Sequence, residues 1–453
     1  MAHYASTRKP GNIISAFKAN TDESILERYP PLKQELLNAN NLKEKLIDSW
    51  TRLTKEIENE TEEIKRLGPN VIPQVEFSEI AKNGGTFPQD VAKEVKKRGM
   101  VVIRNVVSEQ EALQYKKDVK EYILNHKGKI AGFPDADPQV WELYWSKSQV
   151  AARSHPNFVS VTSAMNSLWH ADPETVIDLS MNLTYCDRLR IRKQGDSSFA
   201  LAEHMDGGSV ERWEDPEYRK CFQSILSGEW EKYDPYDATH RVNANMDLYN
   251  CSGGCSMFRS FQGWMSLSAV APGGGTLRVC PIIKLSTAYL ILRPLLKDLV
   301  ETKNMCGALP GAQQHILPEF HQPLIDAVVS IPHVNPGDCV FWHCDGIHAV
   351  EECCNSLTDS SVFYIPSTPL CLNNIKYLAK ERYAFEEGIT PQDFPLNNCE
   401  KDFPDRAKPS DLTELGKLGM GFTPLIVDPT VTKELSEGAI KARKEFNKIL
   451  FPE

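Results

Sequence analysis

Between Leu189 and Thr368 the chain is cut into short apolar, β-branched and aromatic segments by glycine and proline, and this punctuation limits the folds open to it. "RLRIR", "SSFALAEHMDGG", "VNANMDLYN", "SMFRSFQGWMSLSAV", "GTLRVCP", "AVVSIPHV", "DCVFWHC" and "SVFYIPST" each carry a strand signature. A doubly wound parallel sheet needs a helix in each crossover, and most of these segments are joined without one. The pattern therefore points to a β-sandwich or barrel. One helical stretch, "IIKLSTAYLILRPLLKDLVE" at 282–301, interrupts the series.

The flanks read differently. Residues 1–97 are polar and charged; Trp50, Leu53, Ile57 and Ile64 recur at near-helical spacing, and Gly68 suits a helix C-cap. This region is expected to be a helical cover or an oligomer contact. From Arg98, "MVVIRNVV" is a strand, Ser108-x-x-Glu111 is a capping box, and the apolar residues from Ala112 to Ile123 repeat at helical intervals. Residues 130–180 show little periodicity. The tail, 371–453, is helical and loop-rich, giving three units: a helical extension over 1–97, a core over 98–370 and a second extension over 371–453.

Bulk properties exclude several function classes. A net charge of −10 argues against a nucleic-acid binder, which needs a basic face. No run approaches the ~18 apolar residues of a membrane helix. The opening "MAHYASTRKPGNIISAFKANTDES" lacks the apolar stretch of a secretory leader. The 12 cysteines are irregularly spaced and are expected to be reduced thiols in a cytoplasmic protein.

The chemistry is carried by histidine and aspartate. His170-x-Asp172, His204-x-Asp206 and His343-x-Asp345 share one spacing. A mononuclear iron centre takes two neutral imidazoles and a carboxylate on one face of the metal and leaves the other face open. His-x-Asp at a strand end supplies two ligands, and the third must come from a distant strand packed alongside. His343-x-Asp345 is followed only by His348, too near for a separate strand. His170-x-Asp172 precedes Pro173 and Glu174, so Asp172 reads as a helix N-cap. His204-x-Asp206 ends an apolar strand before Gly207 and Gly208, and a long series of strands then leads to "PGDCVFWHCDGIHAVEE", with His343 and His348.

In this order "RGMVVIRNVVSEQEALQYKKDV", "AEHMDGG", "GWMSLSAVAPGGGTLRVCP" and "PGDCVFWHCDGIHAVEE" resemble the iron(II)/2-oxoglutarate-dependent dioxygenases, in particular the phytanoyl-CoA dioxygenase-like branch. "FRSFQGWMSLS" and "WHCDGIHAVE" are similar to a fungal and bacterial family within that superfamily known as a domain of unknown function. The resemblance implies a mainly β fold with flanking α: a double-stranded β-helix (jelly-roll, cupin-like) core wrapped by N- and C-terminal helices. It implies that His204, Asp206 and His348 hold Fe(II), with His343 the alternative distal ligand. It further implies 2-oxoglutarate as co-substrate and the oxidation of a small molecule by molecular oxygen.

The far carboxylate of 2-oxoglutarate requires a charged partner when buried. The resembled branch places an arginine about ten residues beyond the distal histidine, where "NSLTDSSVFYIP" has no basic residue. Arg259 and Arg278 are the candidate anchors. Arg259 shares strand parity with Phe261, Met265 and Leu267. Arg190 and Arg192 either face the pocket or border the sheet, and Ser360, Ser361 and Tyr364 offer hydroxyls. A cupin-like metalloenzyme without 2-oxoglutarate and a non-catalytic binding protein are the rival readings.

Overall fold

A computed structural model of the chain describes residues 23–251, 254–394 and 400–452. The opening segment read for a leader falls mostly outside them. The architecture is mixed α/β, with helix flanking and interleaving two large antiparallel sheets.

Among the described residues fifteen strands form three sheets: β1 (Gln74–Glu76), β2 (Met100–Arg104), β3 (Gly132–Phe133), β4 (Val140–Trp141), β5 (Ile177–Asn182), β6 (Leu189–Arg192), β7 (Leu201–Met205), β8 (Phe261–Ser266), β9 (Leu277–Val279), β10 (Gln314–His315), β11 (Val329–Ser330), β12 (Cys339–His343), β13 (His348–Val350), β14 (Ser360–Tyr364) and β15 (Pro369–Cys371). The larger sheet runs β1-β2-β12-β8-β14-β6-β4-β3, the smaller β10-β7-β13-β9-β11, and β15 pairs with β5 alone. Among the described strands, β1 and β2 pair parallel and the other pairs are antiparallel.

Period-two alternation decides which residues face which layer. Trp264, Val340, Trp342 and Val362 of the larger sheet share one apolar cluster with Met205, Leu277 and Val279 of the smaller, so these faces pack together. The long helix Leu42–Leu67 adds Leu46, Leu53, Ile57 and Ile64 to the same cluster. The opposite face of the larger sheet carries Phe261, Met265, Phe341 and Phe363, which pack with Phe158, Val161 and Met165 of the helix Pro156–Asn166. Arg259 thus shares parity with residues of the outer face; it precedes β8 and lies in a connecting segment. A third cluster joins the helices Leu372–Glu387 and Glu437–Leu450 through Ile375, Leu378, Phe385, Phe446 and Leu450.

Local signals set several boundaries. Ser108 caps the helix Glu109–Asn125, its Oγ accepting from the Glu111 N–H at 3.1 Å. The helix Ile283–Leu292 ends just before Pro294, which cannot continue it. Two expectations are corrected. "VNANMDLYN" is not a strand: its N–H groups are taken by side chains of the preceding helical turns, Asn245 N–H by Asp215 and Leu248 N–H by Glu211. Nor does a helix start at Pro173; a turn there feeds β5, which pairs across with β15. The described cysteines are all free thiols. No helix among the described residues is long and apolar enough to cross a membrane.

Candidate metal centre

The smaller sheet places two histidines side by side. β7 and β13 pair antiparallel with His204 opposite His348, and their rings lie 4.2 Å apart between centroids. Asp206 follows β7 by one residue. The Nε2 atom of His204 is 3.2 Å from Asp206 Oδ1, and that of His348 is 3.9 Å from Asp206 Oδ2. The three donor atoms lie within 4.8 Å of one another. Both imidazoles are buried, and Asp206 is half-buried.

The turn after β7 explains its glycines. Gly207 has φ +82°, a left-handed conformation that costs other residues strain. A Cβ on Gly208 would lie 2.3 Å from the Glu211 carboxyl carbon, so only glycine allows this carboxyl to tuck under the turn. Glu211 is fully buried; burial pushes it up to about 7, and its Oε2 has no hydrogen-bond partner. The spacing Asp206-x4-Glu211 carries no recognised signature, so Glu211 escaped the sequence reading.

Hydrogen bonds fix how the imidazoles point. His204 Nδ1–H donates to Ala202 O at 2.8 Å and His348 Nδ1–H to Gly346 O at 2.9 Å. Such a bond to a backbone carbonyl sets the tautomer and leaves Nε2 as a lone-pair donor. Burial, and next the neighbouring His204, hold the His348 imidazole down to about 4. Burial pushes the Asp206 carboxyl up, but His204, His348 and Arg259 outweigh it and hold it below the ordinary carboxylate range. With His348 neutral and Asp206 ionised at neutral pH, and both Nδ1–H groups on carbonyls, the two Nε2 atoms turn toward a carboxylate, the donor set a divalent metal requires. These residues fit a metal ion.

The other two His-x-Asp pairs are otherwise occupied. His343 is buried and stacked on Trp169; its Nε2–H donates to Pro235 O at 2.9 Å, and its Nδ1 accepts from the Asp345 N–H at 3.0 Å. Burial lowers its imidazole to about 4. Asp345 is gripped by Arg212 at 3.0 Å and Arg241 at 2.7 Å, all three side chains 1–3% exposed. His343, Cys344 and Asp345 lie close enough to hold a metal, but their donors are committed to these partners. His170 is exposed and pairs with Asp234.

The candidate anchors separate. Arg278 is partly exposed and bound to Glu203 at 2.9 Å, so its charge is already met. Arg259 reaches Asp206 Oδ2 at 3.8 Å and lies over the Tyr185 ring at 5.8 Å. Arg192 is fully buried and fully matched: Nε meets Asp196 at 2.9 Å, and the terminal nitrogens donate to the Glu351 and Glu352 carbonyls at 2.7 and 2.8 Å. Arg190 is 4% exposed; it donates to Ser360 Oγ at 3.2 Å and hydrogen-bonds the Tyr364 hydroxyl. Ser361 bonds to Asp359 instead.

Known proteins share this arrangement of elements. YbiU of Escherichia coli K12 is 33% identical over 388 residues, spanning 82% of this chain and 91% of that protein. The crystal structure of GlcNAc Inducible Gene 2 (GIG2, DUF1479) from Candida albicans superposes with a TM-score of 0.84 at 33% identity, covering 98% of this chain and 96% of that one. The JW0805 protein from Escherichia coli gives 0.80 at 31% identity over 89% of this chain and 99% of that one. The Gig2-like family profile matches residues 23–422, and the chain belongs to the Gig2-like family.

Proposed function

We propose that the protein is an Fe(II)/2-oxoglutarate-dependent oxygenase acting on a small molecule, with His204, Asp206 and His348 as the metal ligands. The carrying observation is the convergence of two Nε2 lone pairs and a carboxylate on one point, each Nδ1–H committed to a backbone carbonyl. Strand order supports the same reading. Counting β6, β7, β8, β9, β11, β12, β13 and β14 as one to eight, the two sheets contain the neighbours one-eight-three-six and two-seven-four-five. This interleaving supports a jelly-roll, the double-stranded β-helix, as the core proposed over 98–370.

Iron(II) with 2-oxoglutarate supplies oxidation by O2, one oxygen atom entering succinate as CO2 is lost and the other entering the hydroxylated product. The protein orients and shields that chemistry. His204 and His348 present their lone pairs from adjacent strands of one sheet, a rigid platform. Asp206 brings the negative charge that selects a divalent cation. Trp342, its ring 5.2 Å from that of His348, keeps one side of the centre apolar. Arg259 offsets the charge of Asp206 and of any anion bound beside it.

Anaerobic titration of the protein with Fe(II) and then 2-oxoglutarate tests the reading. A visible charge-transfer band and iron-dependent succinate release on admitting oxygen are expected, with both iron binding and the band lost in His204→Ala. Full iron occupancy in that variant refutes the ligand assignment. Iron binding without the band gives a cupin-like metalloenzyme that does not use 2-oxoglutarate.

A further inference from the structure

The excursion between β9 and β11 lays one further strand against the metal-ligand strand. β10 pairs antiparallel with β7, His315 opposite His204 and Gln314 opposite Met205. Residues directly opposite in a sheet put their side chains on the same side. His315 therefore stands on the side that carries His204 and, across β7, His348. The register continued by one residue sets Gln313 level with Asp206, and period-two alternation puts it on that same side. β10 is not one of the eight strands counted as the jelly-roll; it extends the smaller sheet beyond β7.

The backbone of this strand is held firmly. His315 N–H donates to Gly307 O at 3.1 Å and Ile316 N–H to Glu203 O at 3.0 Å. Gln314, on the other side of the sheet, donates through Nε2 to Cys306 O at 2.8 Å and His315 O at 3.0 Å. Gly307 has φ +80°, and a Cβ there would lie 2.2 Å from His315 O. The fully buried Ser209 donates through Oγ to Leu309 O at 2.9 Å and accepts from the Leu309 N–H at 3.0 Å, which ties the excursion to the turn after Asp206. The two side chains on the metal side are not matched in this way. Gln313 is 3% exposed, its Oε1 has no partner, and no described residue hydrogen-bonds its amide. His315 is half-buried; no described residue hydrogen-bonds its ring, and the charge that reaches it is that of His204 and of no carboxylate.

A buried amide left without partners costs stability unless something bound supplies them. Free polar side chains on a fixed backbone, beside a reactive centre, suit recognition of a ligand. The Gln313 amide donates and accepts side by side, and the His315 imidazole adds a donor on one ring nitrogen and an acceptor on the other. Gln313 brings no charge, and the ionised Asp206 level with it repels an anion. We infer that Gln313 and His315 form a substrate-recognition wall, selecting a neutral molecule with a group that donates and accepts side by side, as an amide does. That this group lies next to the atom being oxidised rests on the proposed function above; the wall itself does not.

The test uses the full-length protein loaded with Mn(II) and two probes of one shape: acetamide, and acetone, which accepts but cannot donate. Mn(II) broadens the methyl proton signal of a probe held near it, and far below saturation the broadening scales with affinity. For the wild type, acetamide is broadened about 3–10 times as strongly as acetone, the ratio that one neutral hydrogen bond supplies. In Gln313→Met and in His315→Leu the ratio falls toward one while Mn(II) affinity holds. The ligand-free melting temperature of Gln313→Met stays level or rises, because a buried amide without partners has been removed. A wild type that broadens both probes alike, or neither, overturns the proposal. So does a Gln313→Met protein that melts lower with the ratio intact, the mark of a structural amide, or a His315→Leu protein that no longer binds Mn(II), the mark of a metal ligand. If the wild type binds no Mn(II), the metal assignment fails, and the wall is judged by saturation transfer from the metal-free protein to the same methyl signals. A preference for acetamide that Gln313→Met loses then upholds the wall, and equal transfer to both probes overturns it.

Discussion

Replacing Asp345 and Asp206 separately by asparagine should have opposite consequences, although both close a His-x-Asp pair. Asp345 neutralises two guanidinium groups, Arg212 and Arg241, at 3.0 and 2.7 Å, and all three side chains are almost fully buried. Asp345→Asn keeps one acceptor oxygen but leaves both arginines uncompensated, a loss of about 3–5 kcal/mol for breaking a buried ionic group. With an unfolding entropy of about 2.1 cal/mol/K per residue, this lowers the melting temperature by about 3–5 °C in a chain of 453 residues. Asp206 stabilises the metal-free protein less, because its side chain is 24% exposed and its guanidinium partner, Arg259, stands 3.8 Å away. Asp206→Asn is expected to change metal-free stability by less than about 1 kcal/mol, the scale of a partly exposed ion pair.

The assay is a melting curve for each protein with chelator and then with Co(II). Wild type and Asp345→Asn should gain about 2.7 kcal/mol at a hundredfold excess of metal over its dissociation constant, and Asp206→Asn should gain nothing. The acid limb checks the Asp345 pairing. Burial pushes the Asp345 carboxyl up, but Arg241 and Arg212 hold it well below the ordinary range. Its contribution is therefore complete at neutral pH and lost as pH falls below that of an ordinary aspartate, and Asp345→Asn lacks this loss. The reasoning fails if Asp206→Asn is as destabilised as Asp345→Asn under chelation, or if folded Asp345→Asn no longer responds to metal.

Three further outcomes follow from the same contacts. His343→Ala should cost about 2–4 kcal/mol, since two hydrogen bonds and the stack on Trp169 disappear, yet Co(II) affinity should hold; equilibrium dialysis that finds no metal would move the distal ligand to His343. Burial raises Glu381 to about 7, with one carboxyl oxygen on the Cys186 N–H and the other unpartnered. Its contribution is full below pH 4.5 and declines as pH rises to 7, so Glu381→Gln should remove up to about 3 kcal/mol of that decline in urea midpoints taken at pH 5 and 8. Gly207→Ala should lose about 1 kcal/mol in chemical denaturation because of its positive φ; an unchanged midpoint would mean that the turn relaxes.

Local chemistry was legible in the residues alone. Ser108 and Glu111 sit three apart, so a cap follows from spacing; Pro294 stops its helix; the glycines after Asp206 announce a turn. These depend on neighbours a few positions away. Strand pairing does not. That His204 and His348 stand in register follows from β7 and β13 being neighbours in the smaller sheet, a relation no spacing encodes. Arg190 and Arg192 look equivalent on paper. Arg192 finds Asp196 four residues along the chain, whereas Arg190 would need a partner from across the interior, and none of the described carboxylates reaches it. Asp345 and Asp206 likewise share a motif but not an environment: two distant arginines fold onto the first, two imidazoles onto the second. Sequence by itself determined which groups exist and where the chain turns. Only tertiary packing decided which of their charges are met, because a counter-charge or a lone pair acts over a few ångströms of space whatever the separation along the chain.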